Sequence, residues 1–135
     1  MEYKRKERGQ SIVEFVLILP VLLIVLAGVL DLGRLYYAHV AIADAAAEGA
    51  SYAAIHPNET AGIVDRAQDA SGGMVEIDEN LVEVSPPPAV ASGAPITVTV
   101  NYTFTVATPF ISSMVPDGVL MLRAVATEVI LAGGI

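Results

Sequence analysis

The sequence has no cysteine, so it can form no disulfide framework, no thiolate metal site and no cysteine nucleophile. Charge is scarce: charged residues make up 16% of the chain, against about 25% in soluble globular domains, so part of the chain belongs in lipid. Positive charge is scarcer still. Lys4, Arg5, Lys6 and Arg8 crowd the start, and only Arg34, Arg66 and Arg123 follow, so the chain beyond Arg8 carries 3 basic against 13 acidic residues. That balance leaves no electrostatic footprint for nucleic acid. The 135 residues suit one domain, which must hold without covalent staples.

Catalytic groupings are missing as well. His39 and His56 have no carboxylate at ligand spacing and read as ordinary helix-surface or helix-end histidines. Glu76, Asp78, Glu79 and Glu83 cluster without the Asp-x-Asn/Asp-x-Asn/Asp-Gly loop of a calcium site, and read as a solvated face or turn. Ser112-Ser113 has no activating histidine nearby and no nucleophile-elbow motif. Gly72-Gly73 reads as a turn rather than a phosphate loop. Asn58-Glu59-Thr60 and Asn101-Tyr102-Thr103 match the N-glycosylation acceptor pattern, a triplet that chance supplies often. The expectation is a non-enzyme with no catalytic residue, no metal and no cofactor.

What is present is a long apolar run. Phe15 to Leu30 carries no charge, and counting back to Ile12 gives nineteen residues interrupted only by Glu14. At about 1.5 Å per residue this is close to the hydrocarbon thickness of a bilayer. The run is apolar on every side of a helix, unlike a one-sided interfacial anchor. With four positive charges before it and Asp31 after it, the positive-inside rule puts the N-terminus in the cytoplasm and residues from about 31 onward outside. A secretory signal peptide has a core of about 7–15 residues with a small-x-small site close behind. The best such site, Ala41-Ile42-Ala43, lies far past the run and inside a helical pattern.

Between the basic leader and the run stand Gly9-Gln10-Ser11-Ile12-Val13-Glu14-Phe15. Ser11 as N-cap with Glu14 three residues on forms a capping box, a purely local account of both residues. That account leaves unexplained a basic leader ending in glycine five residues before a lone acid. The arrangement resembles the class III leader of type IV pilins and pseudopilins, cut after the glycine by a membrane peptidase on the cytoplasmic side. The resemblance implies a cut between Gly9 and Gln10, with Glu14 as fifth residue of the mature chain. In an assembly of such helices, the Glu14 carboxylate would pair with the new Gln10 amine of a neighbouring subunit. Pro20 removes one helix hydrogen bond and can kink the span, which transmembrane helices tolerate.

Past the run the helical pattern continues. Asp31, Arg34, Ala38, Ala41, Asp44, Ala45, Glu48 and Ser51 fall on one side as a polar stripe, with Leu32, Leu35, His39, Ala43, Ala46, Ala50 and Ala53 opposite. Asp31 and Arg34 can pair at i,i+3 as the chain leaves the membrane. Eight alanines between Ala41 and Ala54 allow a close partner, and Pro57 ends the helix near Ile55. Gly9-Gln10, Val13-Glu14-Phe15, Leu19-Pro20, Asp31, Gly33-Arg34 and Glu48-Gly49-Ala50 together resemble the N-terminal region of TadE-like pseudopilins of the tight-adherence (Flp-type) pilus machinery. One departure is Ala47 and Ser51, where the resemblance implies arginine.

Glu59 to Gln68 reads as a short amphipathic helix ended by Ser71-Gly72-Gly73. Val75, Ile77, Val82 and Val84 suggest one strand, or a hairpin turning near Glu79-Asn80. Pro86-Pro87-Pro88 enforces a stiff loop. Ile96 to Val106 alternates apolar and polar residues without a break, Pro109 to Pro116 forms a loop, and Val119 to Leu131 supplies a last strand.

The expected architecture is α+β and pilin-like: a long, half-transmembrane N-terminal helix, a short helix, and an antiparallel sheet of three to four strands. The expected organisation is a leader over 1–9, a transmembrane and assembly helix over 10–31, its external continuation over 32–56, and an external α+β domain over 57–135. The resemblance implies a pseudopilin subunit in the inner membrane, then in a filament or at the cell surface. It also implies as partners a prepilin peptidase, other pilin subunits through helix 10–55, the inner-membrane assembly platform and the lipid bilayer. The alternative is an uncleaved single-pass anchor holding an external binding module.

Overall fold

The computed structural model describes residues 6–85 and 91–131, with side chains from Gly9 onward; the expected loop at Pro86-Pro87-Pro88 and residues 1–5 of the expected leader lie outside the described residues. The chain forms a long helix α1 (Lys6–Ile55), a short helix α2 (Thr60–Ala70), strands β1 (Val82–Ser85) and β2 (Pro95–Thr105), a helical turn α3 (Pro109–Ser112), and strand β3 (Val119–Val129). The three strands form one antiparallel sheet in the order β1-β2-β3. The fold is α+β, as the element pattern implies.

Helix α1 has 50 residues, about 75 Å at 1.5 Å per residue. It begins at Lys6 and runs without a break through Gly9, Ser11 and Pro20. Ser11 is therefore inside the helix, not at its N-cap, and the capping box does not form. Pro20 is tolerated because only its own N–H bond to Val16 is lost.

The upper part of α1 carries the core. Ala38, Ile42, Ala45, Ala46, Ala50 and Ala53 are buried against the sheet and α2. This corrects the polar stripe: Asp31, Ala38, Ala41 and Ala45 belong to the packed face, while Leu32 and His39 are exposed. Alanine gives little polarity signal either way, and here its small size decides, because it lets the helix axis approach its partners. Gly49 is where α1 meets both partners at once: a Cβ there would sit 3.3 Å from both Ala67 Cβ on α2 and Val98 Cγ1 on β2. Gly49→Leu is expected to force these elements apart and destabilise the domain by about 1–3 kcal/mol, the usual cost of overpacking. Denaturant unfolding of the full chain in detergent micelles, followed by circular dichroism, measures it.

On β2, Ile96, Val98, Val100 and Phe104 point into this core, and β3 pairs with the whole of β2 from Pro95↔Val129 to Thr105↔Val119. The expected strand or hairpin across residues 75–84 is shorter. Val75 and Ile77 are buried but lie outside any strand, followed by a 3₁₀ turn at Glu79–Leu81 and then β1. Side chains replace the missing ladder: Ser71 Oγ donates to the Val75 carbonyl at 3.0 Å and Gln68 Nε2 to the Ile77 carbonyl at 2.8 Å. With these carbonyls satisfied from α2 and its C-terminal turn, the segment buries its apolar residues without a strand partner. The expected loop from Pro109 to Pro116 likewise contains the helical turn α3.

Candidate functional site

The sequence-derived site residues fall into two groups along α1. Gly9, Gln10, Glu14, Phe15 and Pro20 lie on the free half, where side chains are exposed on every face. Gln10 Nε2 donates to Glu14 Oε1 at 3.3 Å, an exposed i,i+4 contact, and no residue of the sheet reaches Glu14. Leu17 is 70% exposed and Phe15 59%. A helix this apolar with nothing against it needs lipid or other helices around it. The described residues contain one helix long and apolar enough to cross a membrane, and it is this one.

Asp31 and Arg34 form the second group, where α1 meets the sheet. Asp31 is only 7% exposed. Its Oδ2 accepts the backbone N–H of Thr108 at 2.8 Å, and its Oδ1 accepts that of Ala107 at 3.3 Å. Arg34 Nη1 also donates to Oδ1 at 3.3 Å, while its guanidinium lies 5.4 Å from the Phe104 ring centroid. Asp31 thus clasps the chain leaving β2 onto the helix, and the Arg34 contact lies at the rim. Ala107 and Thr108 escaped sequence reasoning because they are 76 and 77 residues from Asp31. The available signal was a carboxylate directly after an apolar run, a position that demands donors.

Glu48 pairs with Arg66 of α2 at 3.7 Å, both about half exposed, so its cationic partner comes from across the helix pair rather than from positions 47 or 51. Tyr52 donates to Glu59 Oε2 at 2.7 Å and stacks on His56 with ring centroids 4.6 Å apart. Its bond to the Glu59 carboxylate raises the phenol pKa above the ordinary value, because ionisation would break that bond and face a like charge. The acidic residues 76, 78, 79 and 83 are all exposed, and among the described residues no group of three or more metal-ligating side chains converges. The Ser112 and Ser113 hydroxyls donate to the Pro109 and Phe110 carbonyls. Gly72 and Gly73 both have positive φ, as a turn requires.

The arrangement can hold a domain to a helix and offer that helix to an apolar environment. Residues 9–51 match the family model described as TadE-like protein. No curated protein and no solved structure matches the chain.

Proposed function

We propose that this chain, TadE-like over residues 9–51, is a pseudopilin subunit of a tight-adherence (Flp, type IV-like) pilus or secretion system, and that it assembles through its first helix after its leader is cut between Gly9 and Gln10. The coarser reading, a pilin-like protein anchored in a membrane and associated with the Tad pilus, rests on the family match and the apolar helix. The single observation that carries the finer one is the helix itself. From Phe15 to Ile24 it is apolar around its whole circumference with nearly every side chain exposed, and the one acid before this run, Glu14, stands five residues past the glycine.

Physical chemistry supplies the assembly step. Among the described residues, the hydrogen-bond partner of Glu14 is the Gln10 amide. Cleavage creates a cationic amine on Gln10, which a second subunit can present to the Glu14 carboxylate among packed apolar helices. Burying either charge alone is prohibitive, so the pair selects one axial register. Peptidase, neighbouring subunits and the inner-membrane platform are the partners of this reading, with the N-terminus inside and the sheet outside. Its role is structural.

The mature chain is expected to begin at Gln10, with Met1 to Gly9 lost, as intact mass of membrane-extracted protein will read. Gly9→Leu is expected to block processing, because the bond at Gly9 lies in helix α1 and must unwind to enter a peptidase cleft, where a bulkier side chain obstructs it. A chain that keeps its leader in its native host would instead support an anchored binding module.

A further inference from the structure

The turn between β2 and β3 carries a surface that the assembly helix does not account for. From Val106 to Val115 the sequence is Val-Ala-Thr-Pro-Phe-Ile-Ser-Ser-Met-Val, with no charge. Ile111 and Val115 face α1, and with Val25, Gly28, Leu32 and Leu35 they line an apolar groove of about 390 Å³. Phe110 and Met114, one position earlier in each case, face away from the protein and are 59% and 74% exposed. The height of this turn matters. A Cβ on Gly28 would meet Ile111 Cδ1 at 3.0 Å, so the turn reaches below the end of the apolar run at Leu30, by about 3 Å at 1.5 Å per residue.

We infer that the Pro109–Val115 turn is a second membrane contact, which dips Phe110 and Met114 into the outer leaflet beside α1. The inference rests on the membrane-spanning reading of the helix. Lipid is the occupant that the chemistry favours, because the exposed apolar patch is continuous with the apolar circumference of α1 through Leu32, 64% exposed. Most polar groups of the turn are satisfied within the protein, which lowers the cost of a water-poor environment; the exceptions are the Phe110 and Ile111 N–H groups in the first turn of α3, which Thr108 does not cap. The Ala107 and Thr108 N–H groups bond to Asp31. The N–H groups of Ser112, Ser113, Met114 and Val115 bond to carbonyls within the turn, and both serine hydroxyls do the same. Tyr36 and Tyr37, exposed on α1 one to two turns above Leu30, are of the type found at membrane–water boundaries.

The chain has no tryptophan, so single substitutions report alone. The full chain is reconstituted in phosphatidylcholine vesicles, with and without lipid brominated at the upper end of its acyl chains, in three variants. Phe15→Trp reports on the apolar run, Phe110→Trp on the turn, and Ile55→Trp on the exposed far end of α1. The expected result is blue-shifted emission, strongly quenched by bromolipid, for Phe15→Trp and Phe110→Trp, and unquenched emission for Ile55→Trp. If Phe15→Trp is quenched while Phe110→Trp stays as bright as Ile55→Trp, the turn lies in water and the inference falls while the span stands. If neither is quenched, the spanning reading falls and the inference with it. Blue-shifted but unquenched emission from Phe110→Trp, growing with the protein-to-lipid ratio, would place a second copy there and overturn the lipid assignment.

Discussion

A full chain carrying Glu14→Gln is expected to insert, lose residues 1–9 and fold its sheet, yet stay out of filaments. Insertion and folding are spared because Glu14 touches nothing in the sheet; its hydrogen-bond partner within the chain is Gln10. Processing is spared because Gly9 and the leader are unchanged. The local account of Glu14 does not compete, since glutamine fills the third position of a capping box as well as glutamate does. What remains is an exposed carboxylate at the edge of an apolar helix, and glutamine preserves its shape but not its charge. In the proposed assembly, that change leaves the Gln10 amine of the neighbouring subunit buried and unpaired. Breaking a buried pair from one side costs about 3–5 kcal/mol. Each 1.4 kcal/mol is about a factor of ten, so the assembly constant should drop at least a hundredfold. Electron microscopy of filaments and co-purification of partner subunits read the result. Assembly at the native level would show that the carboxylate carries no neighbour's charge.

The contrast between β2 and α1 shows which parts of the architecture were legible beforehand. The strand at Pro95–Thr105 stood out because four threonines and Asn101 alternate with Ile96, Val98, Val100, Tyr102 and Phe104, a period with one interpretation. The apolar run was equally plain, since nothing in it varies around the helix. The face of α1 beyond Asp31 was not plain, because alanine occupies both sides and its role depends on how near the partner comes. Ile42, fully buried in the midst of those alanines, marks the packed face. Val75 and Ile77 failed for another reason. They are apolar in strand spacing, but Gln68 and Ser71 hold their carbonyls, and no local pattern announces hydrogen bonds from a preceding helix and its cap. The i,i+3 spacing of Asp31 and Arg34 predicts a pair, and that contact exists. The larger part of Asp31's bonding goes to N–H groups on a distant turn, which sequence spacing cannot reveal.

Asp31→Ala is expected to loosen the junction between α1 and the sheet, and the size of the effect distinguishes two accounts of the residue. If Asp31 served mainly as the partner of Arg34, then Arg34→Ala should cost as much as Asp31→Ala. The Arg34 side chain is 58% exposed, and an ion pair so open to water is worth about 0–1 kcal/mol. As an acceptor, Asp31 is needed more. Thr108 is buried, and with the carboxylate gone its N–H and that of Ala107 lose their partner together. A buried donor left unsatisfied costs about 1–3 kcal/mol, which is the expected cost from Thr108; the part-buried Ala107 N–H, bonded at 3.3 Å, adds less because water can replace the carboxylate there. Each kcal/mol moves the midpoint of a domain of this size by about 4–8 °C. Thermal unfolding of the full chain in detergent micelles should therefore show a large drop for Asp31→Ala and a small one for Arg34→Ala. Asp31→Asn should fall between them, because its one carbonyl oxygen can serve Thr108 but not both donors. Limited proteolysis should first cut Asp31→Ala in the turn from Ala107 to Val115, which the clasp holds against Gly28 and Leu32. Leader loss should be unchanged in all three variants, since the bond after Gly9 lies about 33 Å down the helix from Asp31. Equal destabilisation by Arg34→Ala and Asp31→Ala would assign the junction to the ion pair instead.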